Sequence, residues 1–86
     1  MPEISRFLGI IIKMHWNEHN PPHFHAEYNQ YSAIIDINSL TITNGKLPGK
    51  VLGLVIEWAE IHQNELLENW NAMRKTPNYK KITPLI

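Results

Sequence analysis

The segment 19–28 (HNPPHFHAEY) holds three histidines and a glutamate, side chains that can exchange protons or bind metal ions. It has the pattern of a turn at the two prolines followed by a β-strand. Because successive side chains of a strand point to opposite faces, His23, His25 and Glu27 would share one face, with neighbours about 7 Å apart. We therefore expect any chemical site of this protein to lie on that face.

Metal binding is the first chemistry that these residues suggest. Two histidines separated by one residue place two imidazoles on one face of a strand, which is a common way to supply ligands to zinc, nickel or iron. His19 would be the third ligand, with Glu27 or His62 as alternatives. This hypothesis predicts a divalent transition metal held by His19, His23 and His25.

Acid–base cleavage of RNA is the second chemistry. Histidine is the usual acid–base group at neutral pH, and a pair of imidazoles can deprotonate a 2′-hydroxyl and protonate the leaving oxygen. The two strand histidines would be that pair, one of two carboxylates would orient an imidazole, and Arg6 or Lys13 would bind phosphate. The candidate catalytic residues are His23, His25, Glu27, Asp36 and Arg6.

The same residues also have a purely structural interpretation. The Pro-Pro-His-Phe-His run would then fix a tight turn, with its imidazoles bonded to backbone groups or to the carboxylates of Asp36 and Glu57. Asp36 lies between two isoleucines, so it is expected to be buried and to accept a hydrogen bond from a histidine on an adjacent strand. His62 is expected to pack in the core.

The composition limits the class of protein. Eight basic and eight acidic residues among 86 give no net charge, which argues against a broad nucleic-acid surface. The absence of cysteine excludes disulfides and cysteine-based zinc sites. A domain of this size buries a modest core, so a protein partner or a second copy, forming a homodimer, would stabilise it. No signal peptide or membrane span is evident, which predicts a cytoplasmic protein.

An antiparallel sheet is expected to position the candidate residues. Alternating or continuous apolar runs bounded by turn residues predict strands over 6–16, 23–28, 31–37 and 40–43. The turns between them are expected at 17–22, at Asn29-Gln30 and, after the last strand, at Asn44-Gly45.

One long helix is expected to follow the sheet. From about residue 50 to about 75, apolar side chains recur every three or four positions, with a bend or break expected near Gln63-Asn64. The fold class is therefore α+β, a three- to four-stranded meander with one long helix packed on one face. We expect a single domain, 1–86, made of the meander (1–45), the helix (48–75) and a tail (76–86).

Several short motifs together resemble a bacterial family catalogued as domain of unknown function 4160. They are Ile4-Ser5-Arg6-Phe7, Gly9-Ile10, His19-Asn20-Pro21-Pro22-His23-Phe24-His25, Tyr28, Leu47-Pro48, Glu57-Trp58, His62, Glu65-Leu66 and Asn69-Trp70. The resemblance extends from Met1 to about Ile82, and its specific part is the Pro-Pro-His-Phe-His core. Gln30 departs from the pattern, since the family would have glycine there.

The resemblance implies a small cytoplasmic protein often found beside a partner of the family catalogued as domain of unknown function 2442. Such pairs look like type II toxin–antitoxin modules with this family as the toxin. No catalytic mechanism comes with the resemblance. The leading hypothesis is a toxin-like component, neutralised by a small antitoxin-like partner, that cleaves RNA through the His23/His25 face. The alternatives are a non-enzymatic protein-binding or regulatory module and a small metal-binding protein.

Overall fold

The computed structural model describes residues 2–16 and 18–86, so Met1 and Asn17, the first residue of the predicted turn 17–22, lie outside the described residues. Its elements are β1 (Glu3–Phe7), β2 (Ile10–Lys13), β3 (His23–Tyr28), β4 (Tyr31–Asp36), β5 (Ile42–Lys46), α1 (Gly49–Ile61) and α2 (Gln63–Met73). The strands form one sheet in the order β1-β2-β3-β4-β5, with neighbouring strands antiparallel. The predicted α+β meander is confirmed, with one more strand and one more helix than expected.

The predicted strand 6–16 is two strands joined by a hairpin at Leu8-Gly9. These two residues have φ angles of 52° and 78°, the positive values that a two-residue hairpin of type I′ requires at both central positions. The turn folds Ile10 back beside Phe7. The prediction of one strand was wrong because the apolar alternation continues through the turn without interruption.

The last strand also differs from its prediction at 40–43. Asn44-Gly45 lies inside β5 rather than in a turn after it, and the register shifts between Ile34 and Ile35 on the neighbouring strand. Gly45 has a φ of 78°, and a Cβ atom there would collide with the carbonyl oxygen of Ser32. The glycine therefore permits a close approach of two strands, a role that an Asn-Gly pair does not distinguish from a turn. The Asn29-Gln30 turn is confirmed.

The helices cover the apolar face of the sheet. Phe24 of β3 and Phe7 of β1 both contact Trp58 of α1, with ring centroids 5.9 and 5.6 Å apart. Buried side chains from every strand except β5 and from both helices form one hydrophobic cluster. The opposite face of the sheet is left to the polar side chains of the candidate site.

The predicted helix 48–75 is two helices separated at His62, one residue before the expected break. His62 has φ −110° and ψ 21°, outside the helical range. Its ring pairs with the Glu65 carboxylate at 2.6 Å, and the Gln63 amide donates to the carbonyl oxygen of Ile37 at 2.8 Å. The first bond lies at the start of α2, and the second ties the break to the chain just after β4. The second helix ends at Met73.

The segment after α2 lies along the edge of the sheet. The Ile82 amide donates to the carbonyl oxygen of Ile4 at 2.8 Å, and Ile82 itself is buried. The side-chain amide of Asn69 donates to the carbonyl oxygen of Lys80 and accepts from its N–H, at 2.8 and 3.0 Å. The segment thus covers part of the outer edge of β1, which would otherwise expose unpaired backbone groups.

Candidate functional site

The strand β3 presents alternating side chains to the two faces of the sheet, as its sequence predicts. Phe24 and Ala26 are buried on the helix side. His23, His25 and Glu27 are half-buried on the opposite face. This polar face of β3 is the floor on which the candidate site is built.

The chain after β2 brings two further ionisable side chains to His25. The ring of His15 contacts the ring of His25, with centroids 4.3 Å apart. Glu18 Oε1 lies 3.7 Å from His25 Nε2 and 3.9 Å from His23 Nε2. We call these four residues, His15, Glu18, His23 and His25, the histidine cluster.

Three members of the histidine cluster have the geometry of a metal-ligand group. One ligand atom from each of His15, Glu18 and His25 lies within 4.8 Å of the other two. The ligand group in the structure therefore differs from the predicted set of His19, His23 and His25. His19, which is exposed, and His23 do not belong to this group, whereas His15 and Glu18 join His25 in it.

The register of β2 and β3 explains why His15 was missed. Lys13 pairs with His25 in this antiparallel ladder, so the chain two residues beyond Lys13 lies alongside His23 and His25. The signal in the sequence was a histidine, His15, just after the strand that pairs with the His-x-His strand. Glu18 gives no comparable signal, because its position depends on how the loop before β3 folds.

His25 is the most constrained member of the cluster. Its Nε2 atom is buried and has no hydrogen-bond partner among the described residues. Burial lowers the pKa of His25, the neighbouring rings of His15 and His23 lower it further, and Glu18 opposes the shift. His25 is therefore neutral at pH 7 and keeps one unprotonated nitrogen for a proton or a metal ion.

His23 is fixed from two sides. Its Nδ1 donates a hydrogen bond to the carbonyl oxygen of Pro21 at 2.8 Å. Its ring lies 4.9 Å from that of Trp70, a buried residue of α2. The ring centroid of His25 lies 5.5 Å away on the polar face. His23 thus connects the cluster to the helical layer.

Asp36 does not orient a histidine, although it lies opposite His23 in the register of β3 and β4. Its Oδ1 atom accepts hydrogen bonds from the backbone N–H groups of Asn38 and Ser39, at 2.8 and 2.9 Å. Asp36 is half-buried. The expectation of a buried carboxylate bonded to histidine was wrong because an aspartate at the end of a strand can cap its own turn.

The predicted phosphate-binding side chains are engaged elsewhere. Arg6 bonds the Glu3 carboxylate at 2.7 Å, and this bond raises the pKa of Arg6 and lowers that of Glu3. Lys13 pairs with Glu27 at 3.2 Å on the polar face of the sheet. Glu27 is therefore a partner of Lys13 rather than a member of the histidine cluster.

A groove of about 440 Å³ starts at the cluster and crosses the polar face of the sheet. His15, Glu18 and His25 line one end of it, and Asn44 and Gly45 line the other. A larger cavity, about 720 Å³, lies between α2 and the C-terminal segment, but no histidine lines it. The smaller groove is the one that could admit a substrate to the ionisable groups.

The fold and site together define the class of protein: a five-stranded antiparallel meander with two helices on one face and a histidine cluster on the other. Residues 9–71 match the family described as "Domain of unknown function (DUF4160)", and the chain belongs to this family. No curated protein and no solved structure shows significant similarity to the chain. Within residues 2–16 and 18–86, neither helix is long and apolar enough to cross a membrane.

Proposed function

We propose that the histidine cluster binds a divalent transition metal through His15, Glu18 and His25. The observation that carries this proposal is the convergence of their ligand atoms to within 4.8 Å of one another. Metal–ligand bonds of about 2.0–2.2 Å would bring such atoms to about 3–3.5 Å, a change that small side-chain rotations supply. The buried, unpartnered Nε2 of His25 supports the same interpretation.

The charges of the site favour a cation over a bare phosphate group. Glu18 supplies the only carboxylate of the cluster, and it lies within 3.9 Å of two rings. Among the described residues, no lysine or arginine lines the groove. An incoming phosphate would therefore meet a carboxylate without a compensating positive charge, whereas a metal ion would meet three acceptor atoms.

A metal held by two imidazoles and one carboxylate keeps open coordination positions, as catalytic metal sites do. Such an ion would lower the pKa of water and so supply a hydroxide nucleophile at neutral pH. We therefore propose metal-dependent hydrolysis, with the substrate lying in the groove. RNA is the substrate class that we propose, because the ion would supply the positive charge that phosphate binding requires. The activity would be toxin-like and neutralised by a small protein partner.

Metal-free acid–base catalysis at the same residues is a second candidate. The lowered pKa of His25 favours it, because a neutral imidazole at pH 7 is a competent base. His15 or His23 would then protonate the leaving oxygen, and Glu18 would orient a ring. This mechanism uses the same groove as metal-dependent hydrolysis, and dependence on a metal distinguishes the two.

Cleavage of single-stranded RNA by the purified protein, with and without a chelator, tests both candidates. We expect cleavage by the wild type and by the exposed control His19→Ala in the presence of Ni²⁺, and none by His25→Ala or after chelation. Cleavage that persists in excess chelator would establish the metal-free mechanism instead. Failure of every metal-loaded form to cleave RNA would remove RNA as the substrate class.

A further inference from the structure

His23 lies beside the three proposed ligands with its ring orientation already set. We infer that His23 is a fourth protein ligand, so that the metal is held by three imidazoles and one carboxylate. The inference rests on the proposed metal-binding function and adds to it the residue that decides which ions the site accepts.

The hydrogen bond from His23 to Pro21 decides which ring nitrogen is free. A carbonyl oxygen can only accept a hydrogen bond, so the Nδ1 atom, 2.8 Å from the Pro21 oxygen, must carry the hydrogen. In the neutral ring the lone pair is then on Nε2. Histidines that bind metals usually donate their other N–H to a carbonyl or carboxylate in this way, which fixes their tautomer and orientation.

The ring nitrogen of His23 that carries the free lone pair lies near a second acceptor atom. His23 Nε2 lies 3.9 Å from Glu18 Oε1, and His25 Nε2 lies 3.7 Å from the same oxygen. These distances are too long for direct hydrogen bonds. A metal ion bound by these atoms would draw each pair together to about 3–3.5 Å, which small side-chain rotations supply. A cation placed there would relieve the repulsion between acceptors that face each other.

The packing of His23 prevents its ring from turning away freely. The ring lies between the cluster and Trp70, at 4.9 Å from the Trp70 ring, and its side chain is 15% exposed. Trp70, a residue of α2, is buried in the core. A ligand held by a hydrogen bond on one side and by a core residue on the other is preorganised for binding.

The position of His23 relative to the groove limits the choice of metal. His15, Glu18 and His25 line the groove, whereas His23 does not. It would therefore bind the ion from the side away from the groove. Four protein ligands would complete a tetrahedral zinc site, but a six-coordinate ion such as Ni²⁺ or Fe²⁺ would keep two positions for water and substrate. We expect His23 to favour six-coordinate ions for activity.

X-ray absorption spectroscopy of the Ni²⁺-loaded full chain measures the number of imidazole ligands directly. We expect three in the wild type, three in the control His19→Gln and two in His23→Gln, whose Ni²⁺ affinity should fall at least tenfold. Two imidazoles in the wild type, with the same spectrum and affinity in His23→Gln, would overturn the role of His23 and leave the proposed three-ligand site standing. A wild type that binds no Ni²⁺ or Zn²⁺ would remove the proposed function together with this inference.

A second measurement covers the case in which His23→Gln does not fold. Long-range ¹H–¹⁵N NMR of the wild-type histidine rings reports tautomers without substitution. We expect His23 to carry its hydrogen on Nδ1 in the metal-free protein and its Nε2 resonance to shift when Zn²⁺ binds. A hydrogen on Nε2, or an Nε2 resonance unchanged by saturating Zn²⁺ while that of His25 shifts, would contradict the inference.

Discussion

Glu18 Oε1 lies 3.7 Å from Nε2 of His25, and this nitrogen is buried with no hydrogen-bond partner in the described part of the chain. The two residues come from different elements, a loop and the strand β3. Their approach leaves a carboxylate facing a buried imidazole nitrogen without a hydrogen bond between them. A proton or a metal ion satisfies that arrangement, which makes Glu18 the residue whose charge should matter most for binding.

Replacement of Glu18 by glutamine should weaken metal binding without unfolding the protein. The amide keeps the shape of the side chain but removes its negative charge and one strong oxygen ligand. We expect the affinity for Ni²⁺ or Zn²⁺ to fall at least tenfold in isothermal titration calorimetry. Glu27→Gln is the matched control, because Glu27 pairs with Lys13 and should leave the affinity within about twofold of the wild type. Equal losses in the two variants would argue against a direct role of Glu18.

The metal-free protein should lose stability as the pH falls below about 6.5, the usual pKa of histidine. Burial, together with the rings of His15 and His23, lowers the pKa of His25 in the folded state, against the opposing effect of Glu18. The unfolded chain then binds more protons than the folded one between the unfolded and folded pKa values, so stability is lost across that window.

Urea unfolding between pH 7.5 and 5 with a chelator present measures this effect. The decrease in the free energy of unfolding should be smaller in His25→Gln than in the wild type. Parallel pH profiles of the two proteins would show that His25 does not contribute.

Replacement of Gly45 by alanine should destabilise the sheet. Its φ of 78° is unfavourable for alanine, and the added methyl group would collide with the Ser32 carbonyl. We expect a loss of about 1–3 kcal/mol in the free energy of unfolding. Gly53→Ala in α1 is the control, since a methyl group there meets no atom and should stabilise the helix by about 0.5–1 kcal/mol. Chemical denaturation of both variants is the measurement, and an unchanged stability of Gly45→Ala would contradict the close approach of Gly45 to Ser32.

The two hydrogen bonds between the Asn69 side chain and the Lys80 backbone should hold the C-terminal segment in place. Asn69→Ala removes two hydrogen bonds from a buried side chain, and we expect it to cost about 1–3 kcal/mol. Hydrogen exchange at the Ile82 amide, which bonds the Ile4 carbonyl, should accelerate more than exchange in β3. Asn71→Ala, at an exposed position of the same helix, is the control. Unaltered protection of the Ile82 amide in Asn69→Ala would show that these two hydrogen bonds do not hold the segment.

The sequence predicts the elements whose pattern is local. The alternation in β3 placed His23 and His25 on the polar face, and the helical period predicted the helical region. The length of that region, too great for one helix in a small domain, predicted a break within one residue of His62. The hairpin at Leu8-Gly9 was missed because apolar residues recur across it with no change of period. Propensity alone does not show where an Ile-rich run reverses direction.

The candidate site was only half predictable, because its other half depends on register and loop conformation. His15 joins His25 through the pairing of β2 with β3, and Glu18 joins it through the loop that follows. His19 is adjacent in sequence to the motif but exposed in the fold. Nearness along the chain was therefore a poor guide to which side chains the candidate site brings together.

The amount of metal bound per folded chain decides whether His15, Glu18 and His25 form a metal site. The wild type, His19→Ala and the double variant His15→Ala/His25→Ala would be freed of metal, mixed with excess Ni²⁺ or Zn²⁺, desalted and analysed by mass spectrometry for metal per folded chain. We predict one ion per chain for the wild type and for His19→Ala, and none for the folded double variant. Retention of the ion by the double variant, or its absence from the wild type, would contradict the proposed metal site.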